Sequence, residues 1–252
     1  MQEHPMSTVD RSFIGAGSIH IQPHDQSAPL LPIGNVSEFT FSFEEDRKEL
    51  KNYLGGGGNR NVISRVSGIT ASVVAHDFTA SNISLALRGT VNQASTTAIT
   101  DEPLVSHGVA DELIPFKRLP DLNQSITVKD SLDTTLVAGD DYELTQSGIK
   151  VIDGGGIDNL GIKVSYTPLP ANMVQALVES GREFVLFMEG LNDAQEGLPF
   201  NIRVHRVKFS PVQNLGFISD DFANIPLQLD VLSDPTITGQ GLSPFMQLDL
   251  AQ

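Results

Sequence analysis

His20 and His24 stand four residues apart, the spacing that lets two imidazoles on one helix face share a zinc ion. Pro23 and the alternation around Ile19 and Ile21 mark this segment as a strand end instead. No HExxH and no third ligand in register accompany the pair, and His76, His107 and His205 are isolated. The zinc reading therefore fails on geometry. The run GGGGNRN at 55–61 invites a phosphate loop, yet it lacks the Lys-Ser/Thr that would reach phosphate and magnesium, and no helix N-terminus follows. Its glycines read as a flexible surface connection. GAGS at 15–18 is a lone GxG inside a strand, which predicts a bulge or a close backbone approach. Asp140, Asp141 and Asp153 fall in turn-like contexts where carboxylates cap backbone amides, and the EF-hand pattern is not met. There is no GxSxG elbow. No catalytic, cofactor or metal residue is nominated, and the expectation is that the chain is not an enzyme.

The bulk properties narrow the partners. The 252 residues carry 31 acidic against 16 basic side chains, a formal charge of −15, so the average surface repels nucleic acid and anionic membrane. With no cysteine, a disulfide framework, thiolate metal sites and cysteine nucleophiles are excluded. MQEHPMSTVDRS has no apolar core and no cleavage signature, so no signal peptide is expected there. No run approaches the ~18 apolar residues that a membrane helix needs.

Short alternating runs punctuated by turn residues predict strands near 12–22, 33–43, 62–76, 104–114, 125–129, 142–145, 149–152, 161–167, 183–190, 200–209, 225–232 and 244–250. One helix is expected in TASNISLALRGT, with Ser81 as N-cap, Ile83, Ala86 and Leu87 on one face and Gly89 as the left-handed stop. A second is expected over 170–181, with Val174, Leu177 and Val178 as its apolar stripe. The whole chain, 1–252, reads as one domain. Region 104–168 reads as an inserted β-hairpin layer, with a separate domain as the alternative.

Strand faces then sort the residues. Phe39, Phe41 and Phe43 alternate with Glu38, Thr40 and Ser42, while Ile69, Ala71 and Val73 alternate with Thr70 and Ser72. Phe184, Leu186 and Met188 oppose Glu183, Val185, Phe187 and Glu189. In FNIRVHRVKF the apolar phase slips by one residue between Val204 and Val207, which predicts a β-bulge bending a long strand. Long strands with one polar face leave edges that invite pairing with another chain.

The run EFVLFMEGLNDAQEGLPFNIRVHRVKFSPVQNLGFISDDFANIPLQLDVLSDP at 183–235 resembles the C-terminal half of major tail proteins, the tail tube proteins of long non-contractile-tailed bacteriophages. EGLN, FSP, ISDDF and VLSDP carry the likeness, and IGNVSEFTFSFEEDRKELKNYLGGGG, VSGITASVVAHDFTASNISLALRGT, AGDDYELT and VSYTPLP agree with it. The resemblance implies a mainly β fold. It would be an antiparallel β-sandwich or partial barrel with one short flanking α-helix, its strands joining across six subunits into a ring-closed barrel. Such rings stack into a tube that conducts viral DNA without binding it specifically. The protein would be assembled in the host cytoplasm and reside in the virion tail, with tape-measure, tail-tip and tail-terminator proteins as further partners and no membrane. On this reading Glu44, Glu45, Asp46, Arg47, Lys48, Glu49, Lys51, Tyr53, Leu54 and Gly55, Gly56, Gly57 and Gly58 form an arm that docks on a neighbouring subunit or ring. Alternation then nominates Glu38, Thr40, Ser42, Thr70, Ser72, Glu183 and Glu189 as lining an acidic or neutral lumen, where Lys or Arg would grip phosphates and stall the duplex. The rival readings are a tube-forming ring of a bacterial secretion system and a β-sandwich carbohydrate-binding or adhesin module. The absence of Trp and the presence of only three Tyr weigh against the second.

Overall fold

Period-two alternation of β-branched and aromatic residues with Ser, Thr and charged residues builds nearly everything in the chain. The computed structural model describes residues 11–25, 27–179 and 181–251; most of the segment in which no signal peptide is expected lies outside them. The chain divides into two compact units, one comprising Met1–Thr90 and Val174–Gln252, the other Val91–Met173.

In the first unit, β1 (Gly15–Pro23), β2 (Leu31–Pro32), β3 (Val36–Lys51) and β4 (Asn59–Ala75) precede helix α1 (Ala80–Ala86) and β5 (Thr90–Gln93), which leads out of the unit. The second unit holds β6 (Ile99–Leu104), β7 (Leu113–Pro115), β8 (Thr127–Asp130), β9 (Tyr142–Leu144), β10 (Gly148–Val151) and β11 (Ile162–Tyr166). The chain returns through β12 (Asn172–Gln175), which pairs with β5, to β13 (Phe184–Asn192), β14 (Leu198–Ser210), β15 (Ile225–Val231) and β16 (Met246–Leu250).

The first unit is one antiparallel sheet in the order β2-β1-β13-β14-β15-β4-β3, with β16 also paired to β14. Six interstrand steps would set the margins of a flat sheet about 29 Å apart, yet β2 and β3 occupy those margins and only residues 33–35 separate them. A chain that short spans at most about 14 Å, so the sheet must curl. It remains open, because no ladder joins β2 to β3 among the described residues. The expected bulge contributes to the bend: Leu186 pairs with Val204 and Phe184 with Val207, so His205 and Arg206 occupy the space of one residue.

Inside the curl lie Ile19, Val73, Leu186, Val204, Val207, Leu227 and Leu229, each almost wholly buried. Helix α1 adds Leu85 and Ala86 to this core. Its N-cap is Thr79, not Ser81: the Thr79 hydroxyl accepts from Asn82 N at 3.1 Å, and Asn82 Nδ2 donates to Ile33 O at 2.7 Å and Asp77 O at 2.9 Å. Asn82 thus ties the helix to the short β2–β3 connection. The left-handed residue after the helix is Arg88, with φ 47°, rather than Gly89. Gly89 serves close approach instead, since a Cβ there would sit 2.4 Å from Gln175 O.

The helix expected over 170–181 does not form. Residues 172–175 pair as β12 with β5, Leu177 takes φ 58°, and Leu177 and Val178 are exposed. An apolar stripe with nothing to cover it gains no packing energy, and strand pairing wins. The strand expected over 104–114 is likewise two strands, β6 and β7. The turn between them is fastened by the Glu112 carboxylate, which accepts from the His107 amide and pairs with its ring at 2.6 Å.

The second unit begins earlier and ends later than the hairpin layer expected at 104–168. It contains two three-stranded sheets, β7-β10-β9 and β6-β11-β8, around a core of its own that includes Ile114, Val128, Ile149 and Val164. Phe116 stacks on Tyr166 at 4.8 Å, and burial pushes the Tyr166 phenol up to about 12. Asp141 caps turns as expected, accepting from Val137 N and Gly156 N at 2.7 Å each.

Candidate functional site

The segment expected to form an arm is a regular β-hairpin. β3 runs straight through Glu44, Glu45, Asp46, Arg47, Lys48, Glu49 and Lys51, and β4 starts at Asn59, so residues 44–67 form a β-hairpin. β15 pairs with β4 only from Thr70 to Ala75, so among the described residues the hairpin has no third strand beyond Ile69. Eight steps of strand from Phe43 to Lys51 carry it about 26 Å past the sheet. A bulge between Glu44 and Glu45 lies where the ribbon leaves the sheet. At the tip, Gly55, Gly56, Gly57 and Gly58 all have positive φ, from 70° to 100°, with open space where a Cβ would be. Backbone conformation, not crowding, is what calls for glycine here. Asn52 closes the turn by donating from Nδ2 to Gly55 O and accepting from Leu54 N.

Among its charged residues the ribbon carries apolar side chains on both faces. Leu50, Val62, Ile63 and Val66 are about half exposed, and Tyr53 and Leu54 are each 83% exposed. Phe43, expected in the core, is 58% exposed because it lies where β15 has already ended. A two-stranded hairpin is marginally stable in water by itself, and clustered exposed apolar residues mark contact surfaces.

The polar residues of β3 and β4 share one sheet face in registered rows. Thr40 pairs with Ser72, Ser72 with Gln228 and Gln228 with Ser210; one residue pair along, Ser42, Thr70, Asp230 and Lys208 align across the same strands. Gln228 Nε2 donates to Ser72 Oγ at 3.1 Å and Ser210 Oγ to Asp230 Oδ2 at 3.0 Å, so the side chains interact across the rows. Glu38 lies on this face at its β3 margin, opposite Val74. Glu189 sits on β13 opposite Ser18 and Asn201, apart from the rows.

Glu183 is engaged in a structural pair. Arg206, at the β14 bulge, donates to it from Nε at 2.6 Å and Nη2 at 2.8 Å, and holds its carboxyl below the ordinary range. Beside it, His24 pairs with Asp234 at 2.9 Å, and Arg206 Nη1 donates to Ser233 O. The His24 imidazole, followed by the Thr236 hydroxyl and amide, holds Asp234 well below its ordinary 3.8. His20 pairs in register with Phe187 and Pro32, and the two histidines serve different contacts. No group of three or more His, Asp or Glu arranged for a metal occurs among the described residues. Sequence reading took ISDDF only as part of the resemblance and nominated no contact residue in the loop between β14 and β15, where Phe217, Ile218 and Phe222 are 72%, 98% and 93% exposed. Its signal was apolar residues inside a turn-rich stretch, QNLGFISDDFAN.

An open, curled antiparallel sheet with one covering helix, a projecting hairpin and an inserted β unit defines a mainly β protein. The chain belongs to the family described as protein of unknown function UCP028589, which it matches over residues 12–249. No curated protein matches it.

Proposed function

We propose that the chain is a structural subunit of a phage tail tube, assembling as hexameric rings that stack around the path of the DNA. The observation that carries this reading is the hairpin of residues 44–67, a ribbon without a third strand that offers apolar residues on both faces. Burying a Leu, Val, Ile or Phe side chain is worth roughly 1.5–3 kcal/mol. Docking the ribbon on another copy would recover this for several residues together. Among the described residues no strand pairs with the outer margins of β2 and β3, which offer backbone that a neighbour's strand can satisfy.

On this reading the rows of Thr40, Ser72, Ser42 and Thr70 supply a hydroxyl-rich wall, with Glu38 and Glu189 adding negative charge. The sheet face also carries Arg203, Arg206 and Lys208. Arg206 is neutralised by Glu183, Lys208 stands opposite Asp230, and Arg203 lies over the Phe187 ring at 5.4 Å. A cation paired with a carboxylate, as Arg206 is, releases few counterions to passing phosphate, whereas Arg203 keeps its charge over the ring. Electron microscopy of the purified protein tests the reading: hollow rings or tubes are expected. Monodisperse monomers at high concentration would defeat it.

A further inference from the structure

One pocket in the first unit lies past the C-terminal end of α1. It is a small recess, about 30 Å³ in volume, to which Leu85, Phe184 and Phe209 give an apolar lining. Its charged residues are Arg88, Arg182, Lys208 and Glu179. Lys208 lines it from β14, but its side chain belongs to the opposite, polar face because Phe209 next to it points into the core. A ligand therefore meets two guanidinium groups and one carboxylate in a chain whose net charge is −15. Arg182 spans Glu179, at 3.2 Å, and the face of Phe184, at 5.4 Å from the ring centroid. Arg88 is anchored by its Nε on Phe209 O at 2.6 Å, which leaves its terminal amino groups for a further acceptor. An apolar floor beneath planar, fork-shaped donors suits an aromatic or aliphatic side chain that carries a carboxylate beside it.

The loop between β14 and β15 presents that chemistry. Ile218 and Phe222 are almost fully exposed and bracket Asp220 and Asp221, both exposed. Phe217 rests edge-on against Phe78, just before the N-cap of α1, at 6.5 Å. The loop thus sits near one end of the helix and the pocket beyond the other, and the loop is not the occupant of its own molecule's pocket. Loop and pocket are different surfaces, so joining them between copies is a head-to-tail contact, the kind that closes rings or propagates filaments.

We propose that the rim of the Arg88/Arg182 pocket of one copy docks the Ile218-to-Phe222 loop of a second copy, Asp220 or Asp221 against the guanidinium groups and Phe222 lying across the small apolar opening. This rests on the self-assembling role proposed above and names one of its contacts.

Two charge reversals test it. Arg182→Glu makes pocket and loop both negative; Asp220→Lys with Asp221→Lys makes both positive. Each variant alone, shown by its melting curve to be folded, associates roughly tenfold or more weakly than the natural chain in sedimentation at low salt, while an equimolar mixture recovers association because each pocket meets an opposite loop. Association of both variants at natural strength, a mixture no stronger than its components, or an effect of the loop reversal without one of the pocket reversal would overturn the contact and leave tube assembly standing. A natural chain that never self-associates would bring down both. Because the chain contains no cysteine, Arg182→Cys and Phe222→Cys provide a second readout: mixed and oxidised, they yield a disulfide-linked dimer. Failure to cross-link while the natural chain assembles counts against the contact alone.

Discussion

Asp234 shows how much one side chain organises when its neighbours are fixed by the fold. It accepts from Thr236 twice and pairs with His24, joining the end of β1 to the connection between β15 and β16. Its carboxyl titrates below the ordinary 3.8. The folded state thus prefers the ionised form, so this stabilisation is complete above pH ~3.8 and drains away as pH falls below it. Asp234→Asn is expected to lower stability at pH 7 by roughly 1–3 kcal/mol and to make the acid-side loss shallower. Denaturant unfolding at pH 7 and below pH 4 checks both. Gly17 is a second case. A Cβ there would lie 2.1 Å from Glu189 O, backbone that cannot step aside without breaking the β1–β13 ladder. Gly17→Ala should cost about 1–3 kcal/mol, read from the melting temperature, and a melting curve superposable on the natural one would contradict the close approach. The sequence already pointed here, because a GxG inside a strand has few other uses.

Among the elements, the hairpin separates what stabilises a monomer from what builds an assembly. Tyr53 and Leu54 touch little in the single chain, and exposed substitutions usually change stability by less than ~0.5 kcal/mol. Tyr53→Ser with Leu54→Ser, or removal of residues 55–58, should leave the melting temperature nearly unchanged while reducing the yield of tubes seen by electron microscopy. Normal tubes from either variant would remove the hairpin from the assembly. The Phe39, Phe41, Phe43 alternation was legible, but where its burial stops was not, since that depends on where β15 ends alongside β4. The expected helix at 170–181 failed for a similar reason. Its stripe was a genuine pattern, but β5 was the partner that the chain brought to it.

For the molecule as a whole, the inserted unit has a core that draws only on its own residues. A segment with its own core and two facing sheets meets the criterion of an autonomous domain. Expressed alone, Val91–Met173 should fold cooperatively, with dispersed amide resonances and a sigmoidal denaturant transition; a featureless, non-cooperative profile would show that it depends on the rest of the chain. Turn-rich composition flagged this region, yet its boundaries fall at Val91 and Met173 rather than at 104 and 168, because β5 and β12 read as neither unit from their own residues.

The sequence by itself determined the mainly β class, the first of the two helices expected, the bulge between Val204 and Val207, and which side of β3 and β4 is polar within the sheet. All of these follow from local spacing and backbone preference. Tertiary structure alone decided that the sheet curls until β2 and β3 nearly meet, that Glu183 is tied to Arg206, and that the hairpin stands clear of any third strand. Those outcomes depend on which distant segments become neighbours, and no local pattern encodes the partner.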